Sequence, residues 1–227
     1  MADKTVVIEG TDLLSFGANF STQSSSSSAM QDYAQALDSL GNSECEAALN
    51  NRTEYSQEVV YCNASPTLVA HLATFLTTFG QVQNAKAVDT LSIMFAPGEH
   101  ATISATAHNH DSNEHTALNS ADISTVIPAS SGLGVPDIWA NSNTDATPVS
   151  VTVSASMNHV DRNGATGEHW FGQSVTFRVD VTAEYINVPV LTTTGWSIDS
   201  EDSTDENQDG DGYSITAHKY FDRIAPA

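Results

Sequence analysis

The chain has 227 residues and sets 28 Asp and Glu against 7 Lys and Arg, a formal charge of −21. That balance repels nucleic-acid phosphates, and the chain has no basic patch interleaved with aromatics, so tight nucleic-acid binding is disfavoured. No stretch approaches the roughly 18 consecutive apolar residues of a membrane span, so no membrane partner is expected.

The opening residues contain no apolar segment of signal-peptide length, and the product is expected to be used without cleaved export. The Asn-x-Ser/Thr triplets at Asn19, Asn51 and Asn63 then read as coincidence. Residues 5–20 read as one or two strands, with Val6, Val7, Ile8, Leu13, Leu14, Phe16 and Phe20 broken by Gly10 and Gly17. The serine-rich tract 21–28 reads as a polar connector. Over 29–40 the spacing of Ala29, Tyr33, Ala36, Leu37 and Leu40 predicts an amphipathic helix, capped by Ser28 and stopped by Gly41. Residues 43–49 and 54–62 then read as paired strands around Asn50 and Asn51. A second amphipathic helix is predicted over 66–79. Ser65 would cap it, Pro66 occupies its first position, and Leu68, Leu72, Phe75, Leu76 and Phe79 form the stripe. His71 beside that stripe reads as a core-edge histidine.

After Gly80 the chain reads as strand and turn, with alternating runs at 90–95, 102–107, 149–156, 174–183 and 212–220. The Gly-, Pro-, Ser- and Asn-rich stretch 128–148 reads as a loop excursion outside the core. Residues 104–115 and 154–169 echo one another: Asp111 and Asn113 align with Asp161 and Asn163, and Glu114-His115 with Glu168-His169. Either duplicated hairpins or chance likeness between two Ser/Ala-rich strands would produce this. The expected fold class is mainly β, a single β-sandwich or barrel-like domain over residues 1–227 with two helices in its N-terminal third. Cys45 and Cys62 are too few for a disulfide framework; they read as buried thiols or as a cross-strand bridge flanking the hairpin.

Charged residues are only 15% of the chain, so its acidity comes from missing bases. Between Lys86 and Arg162, 75 residues pass without a Lys or Arg while eight Asp and Glu occur. Three outlets for that charge are a surface along which nucleic acid slides without sticking, bound divalent cations, or a salt-rich milieu. Asp205, Asn207, Asp209 and Asp211, with Gly210, match the first half of a calcium loop, in which oxygen ligands recur at every second residue. Thr216 stands where the bidentate Glu would be, and strands flank the tract. An EF-hand is therefore excluded, and a β-hairpin Ca²⁺ loop or a solvated acidic tip remains. His108 and His110 share one face of a strand, a spacing suited to Zn²⁺, or else belong to a solvated hairpin end. Nucleophilic catalysis has no local signature, since Gly-x-Ser-x-Gly is absent, and no required cofactor is indicated.

A β-hairpin start, two helices, long strands and a final hairpin, in so acidic a chain, resemble the layout of the major tail-tube and related ring-forming virion proteins of tailed phages. That resemblance implies a non-enzymatic subunit, made in the host cytoplasm and located in the virion. It implies self-association into rings or tubes, contacts with other virion proteins, and an acidic lumen through which DNA passes without tight binding. Trp139, Phe171 and Trp196 would then anchor subunit interfaces, with Ca²⁺ optional. The alternatives are a calcium-assisted adhesion or carbohydrate-binding module with Trp139, Trp170 and Trp196 as sugar platform, and a metal-dependent hydrolase built on His108 and His110.

Overall fold

The structure is a computed structural model describing residues 4–7, 11–37, 39–41, 43–63, 68–72, 87–110, 126–128, 134–163, 169–204 and 212–221. Eleven strands account for most of them: β1 (Lys4–Val7), β2 (Phe20–Leu37), β3 (Ser43–Tyr61), β4 (Ala87–Phe95), β5 (Thr102–His110), β6 (Ala140–Asn141), β7 (Thr147–Asn163), β8 (His169–Ile186), β9 (Leu191–Thr192), β10 (Ser197–Thr204) and β11 (Gly212–Phe221). Nine join one antiparallel sheet in the order β1-β2-β3-β5-β4-β7-β8-β11-β10, and β6 and β9 form a separate two-stranded pair.

Period-2 alternation decides which face of this sheet is covered. In β7, Val151, Val153, Ala155 and Met157 are buried while Thr152, Ser154 and Ser156 remain partly exposed. Leu91, Ile93 and Phe95 of β4, Ile103 and Ala105 of β5, Val179 and Val181 of β8, and Ile215 of β11 continue the same apolar face. Each such Val, Ile, Leu or Phe side chain contributes about 1.5–3 kcal/mol by leaving water. Connecting segments supply Leu14, Phe16, Leu68, Leu72, Ile127 and Trp139 to the same core.

Mainly-β architecture is as expected, and all five predicted C-terminal runs are strands. Among the described residues the large sheet is open in its pairing order, with β1 and β10 at its ends. The helix expected over 29–40 is instead the second half of β2, paired with β3 as far as Leu37↔Ser43. Ala29, Tyr33 and Leu37 recur every four residues, a spacing that serves a helix face and a strand face equally well. Pairing with a 19-residue partner resolves the ambiguity towards strand. The serine tract is likewise strand, and Gly41, at φ +83°, serves the β2–β3 turn instead of a helix end. The pair of strands expected around Asn50 and Asn51 is one uninterrupted strand, β3, so Cys45 and Cys62 bracket no hairpin. Lying 17 positions apart along β3 and its exit, they are about 50 Å distant, which excludes a bridge. Of the helix expected over 66–79, residues 68–72 are helical, with Leu68 and Leu72 fully buried; the rest lies outside the described residues. Tyr61 Oη and His71 Nδ1 are 2.6 Å apart, in keeping with a core-edge histidine. The stretch 128–148 is irregular where described, apart from β6 and the first two residues of β7, but it is not an excursion from the core, because Trp139 and Ala146 are buried.

The sheet is built from one four-stranded unit used twice. Nine β2–β3 pairs, from Ser21↔Val60 to Met30↔Arg52, reappear in β7–β8 with every residue number raised by 126. The nine β3–β5 pairs reappear in β8–β11, Glu54↔His108 becoming Asp180↔His218. All seven β4–β5 pairs reappear in β10–β11 with numbers raised by 110. The bulges recur too: the β2 shift between Thr22 and Ser24 matches that between Pro148 and Ser150, and the β4 shift at Val88/Thr90 matches that at Ile198/Ser200. The offsets differ because the connection from β3 to β4 is longer than that from β8 to β10, and the 68–72 helical turn lies in the longer one.

The loop 11–17 closes over the first unit through a polar latch. Gln57, 1% exposed on the core side of β3, accepts from Leu14 N (2.8 Å) and donates to Asp12 Oδ1 (2.9 Å) and Thr22 Oγ1 (3.1 Å). Asp12 also accepts from Phe16 N (2.9 Å) and Gly17 N (2.8 Å). Burial by itself raises the Asp12 carboxyl, but the amide donors of Gly17, Gln57, Phe16 and Ser15 outweigh it and hold the group below the ordinary aspartate value. A depressed carboxyl stabilises the fold above its unfolded-state value and loses that contribution as pH falls through its folded value. Asp12→Asn should therefore lower the melting temperature at neutral pH, with the difference from wild type closing under acid; melting curves over a pH series check this. Separately, Ile103→Ala should cost about 2–5 kcal/mol in urea unfolding. Thr106→Ala, which loses one surface hydroxyl contact to Thr90 (2.7 Å), should cost about 1 kcal/mol or less.

Candidate functional site

Opposite the core lies a face of hydroxyls and carboxylates. One cross-strand row runs Ser24, Glu58, Ser104, Ser92, Ser154, Asp180, His218, crossing seven strands without an aliphatic side chain. Neighbouring rows contribute Thr90 to Thr106 (2.7 Å), Thr182 to Thr216 (3.3 Å) and Ser150 to Glu184 (2.7 Å). The same period that buries Val and Ile on one side dictates this polarity on the other.

Each unit carries one ionic constellation on this face, at equivalent positions. In the first unit Arg52 Nη2 lies 2.8 Å from Glu54 Oε1, and His108 Nδ1 lies 2.7 and 2.9 Å from the two oxygens of Asp89. In the second, Arg178 Nε donates to both oxygens of Asp180 (2.9 Å each), and its Nη2 makes a further short contact to the same carboxylate. His218 Nδ1 lies 2.8 Å from both oxygens of Asp199. A carboxylate only accepts, so Nδ1 carries the proton in both imidazoles. Asp89 and Asp199 are the extra residues of their bulges, and the bulge turns an otherwise mispositioned aspartate towards the histidine on the next strand.

The second constellation is the more extended. Arg178 stands 3.8 Å from Asp199, donates to Tyr220 Oη at 3.3 Å, and lies 5.6 Å from the Tyr220 ring centre. Its bonds to Asp180 and Tyr220 reinforce a charge that is already permanent. Ligand atoms of Asp180, Asp199 and His218 fall within 4.8 Å of one another, as a divalent ion would need. Arg178 already occupies Asp180 and supplies the positive charge, so the group fits an ion-pair network better than a metal cage. Beside the first constellation, Ser26, Ser28, Glu54, Ser56, Asp89 and Thr106 line an open depression of about 340 Å³, a lining suited to water or cations.

Residues singled out by sequence fare unevenly. His108 is on the polar face, with its Nδ1 held by Asp89; the side chain of His110 lies outside the described residues. Asp205, Asn207, Asp209 and Asp211 also lie outside them; the tract joins β10 to β11 across Thr204↔Gly212, so strands do flank it. Trp139 is no surface anchor: it is 3% exposed and meets the half-buried Trp196 edge-on at 5.6 Å. That burial also removes it from any sugar platform. Phe171 is in β8, with its side chain outside the described residues. The echo between 104–106 and 154–156 has a plain cause. Both segments flank β4 in one register, Ser104 and Ser154 opposite Ser92, Ala105 and Ala155 opposite Leu91. The true counterpart of 104–108 is 214–218.

Sequence reasoning missed Asp89, Asp199, His218 and both Arg-x-acid pairs. A signal was present: Ser-x-Thr-Ala-His occurs at 104–108 and 214–218, and each His follows its Asp by 19 residues. Among the described residues no helix is long and apolar enough to cross a membrane. The chain matches no protein-family model and no curated protein sequence.

Side-chain exposure distinguishes the two histidine–aspartate pairs: 10% and 30% for His108 and Asp89, against 17% and 38% for His218 and Asp199. The less exposed pair is the less screened. Asp89→Ala should cost about 1.5–3 kcal/mol and Asp199→Ala about 1 kcal/mol or less, measured by urea unfolding of each variant at neutral pH.

Proposed function

We propose that this chain is a structural subunit of a virion, a tail-tube protein that self-associates into stacked rings and lines a DNA passage with its polar face. The observation that supports this reading is the two-sided sheet. One face is sealed by aliphatic side chains and connecting loops, while the other is mostly Ser, Thr, Asp and Glu, with Met94 and Ile186 exposed among them. On that surface the arginines whose side chains are described, Arg52 and Arg178, are each bound to a carboxylate. A wall of this kind holds water, keeps the Arg52 and Arg178 guanidinium groups from phosphate, and repels phosphate through the surplus of acids. DNA then passes without adhering. The subunit is structural and not catalytic in this reading. Other virion proteins meet the ends of the ring stack, and Ca²⁺ on Asp205, Asn207, Asp209 and Asp211 is an optional neutraliser of the β10–β11 connection.

Negative-stain microscopy of purified protein over a range of concentrations should show rings or tubes. Discrete particles near 24 kDa at every concentration would defeat the proposal. Tubes of the Glu58→Lys/Glu184→Lys double variant should retain DNA in a salt-dependent manner at ionic strengths where wild-type tubes release it, as a sedimentation assay would read.

A further inference from the structure

The twofold use of one unit identifies a missing neighbour. β4 is paired on both sides, by β5 and by β7, whereas among the described residues its counterpart β10 is paired only by β11. In the inner junction β4 joins β7 from Thr90↔Ser156 to Phe95↔Val151. The counterpart of β7 is β2, and the counterpart of the docking stretch 151–156 is 25–30. Among the described residues that stretch of β2 is occupied by β1, through four pairs, Val7↔Ser26 to Lys4↔Ala29. An N-terminal strand thus sits where the repeat would place a β4-type strand.

We infer that β10 of one copy docks on β2 of a second copy in the register of the β4–β7 junction, with β1 leaving that place. Transposing the register sets Ser200 against Met30, Glu201 against Ala29, Asp202 against Ser28, Ser203 against Ser27 and Thr204 against Ser26. Charge favours this arrangement over the symmetric one. Glu201 and Asp202 meet small neutral residues, one of them a serine hydroxyl that donates to a carboxylate. Two β10 edges paired together would crowd Asp199, Glu201 and Asp202 of both copies into one short ladder. Composition also separates the two junctions by strength. The inner one seats buried Leu91 and Ile93 against Ala155 and Val153. The outer one has Glu201 and Ser203 at the equivalent core-side positions, so backbone pairing and polar contacts hold it, which suits a junction made after folding and kept closed until then by β1. The contact is head-to-tail, and it closes a ring when the rotation per copy permits. It rests on the ring-forming reading above and names the edges that would build the ring.

The test is disulfide capture in a Cys45→Ser/Cys62→Ser background carrying Ser27→Cys and Ser203→Cys, oxidised under assembly conditions beside microscopy of the same sample. Directly opposed strand positions bring two Cα atoms within disulfide reach. A ladder of covalent dimers and higher species is expected, absent from each single variant and from the displaced pair Thr22→Cys/Ser203→Cys. Rings or tubes without a ladder would overturn this junction while leaving the tail-tube reading standing. A ladder without closed particles would support the junction and defeat that reading. Self-capture by Ser203→Cys alone, or its capture by Val6→Cys on a retained β1 in place of Ser27→Cys, would overturn the proposed pairing.

Discussion

Backbone register, carried across nine strands, is the constraint from which the other features follow. Every antiparallel pair fixes which residues stand opposite, and a period of two then fixes the face on which each side chain emerges. A slip of one residue anywhere from β2 to β10 would put Val and Ile into water and Asp into the core. Four shifts in each unit adjust that register locally, and two of them recur at equivalent places. A bulge costs ladder hydrogen bonds, so its recurrence calls for a compensating gain. At Asp89 and Asp199 the gain is visible: a carboxylate reaches an imidazole that regular pairing would have left without it.

Charge is managed by the same ladder. Seven bases cannot neutralise 28 acids, and Arg52 and Arg178 each pair with an acid two positions on along the same strand face. Arg52-x-Glu54 and Arg178-x-Asp180 therefore keep these two guanidinium groups engaged within the sheet face. Glu58 stands between Ser24 and Ser104, and Glu184 between Ser150 and Ser214, so hydroxyls flank these carboxylates on the polar face. Such a surface is poor at gripping anions and good at remaining wet. The reading as a passage wall depends on that physical property, and on no catalytic group.

Composition also grades the strand edges. Interior strands bury aliphatic residues against neighbours on both sides and cannot separate without exposing them. β10 carries Asp199, Glu201 and Asp202 and is exposed along its described length. Acidic residues on an edge protect it from indiscriminate pairing while leaving its backbone available to a neutral, serine-rich partner. The polyserine segment of β2, with its small side chains, is suited to accept such an edge.

Strand positions in the C-terminal two thirds were readable directly from alternation, because runs such as Val151 to Met157 admit only one period. The acidic, base-poor character and its consequence for phosphates were equally plain from composition. The stretch 29–40 was not, since a four-residue recurrence of apolar groups satisfies helix and strand alike, and only its partner β3 resolved it. Trp139 looked like a surface aromatic in a Gly- and Pro-rich stretch; the fold buried it because the chain returns there to pair β6 with β9. The two histidine–aspartate constellations were written in the chain at a constant spacing of 19, but their meaning depended on bulges and cross-strand neighbours that no local pattern encodes. Side-chain chemistry thus determined the periods and the charge. Long-range pairing decided which periods were used, which residues met, and that one four-stranded unit occurs twice, because hydrogen-bond partners in a sheet are chosen between segments and not within them.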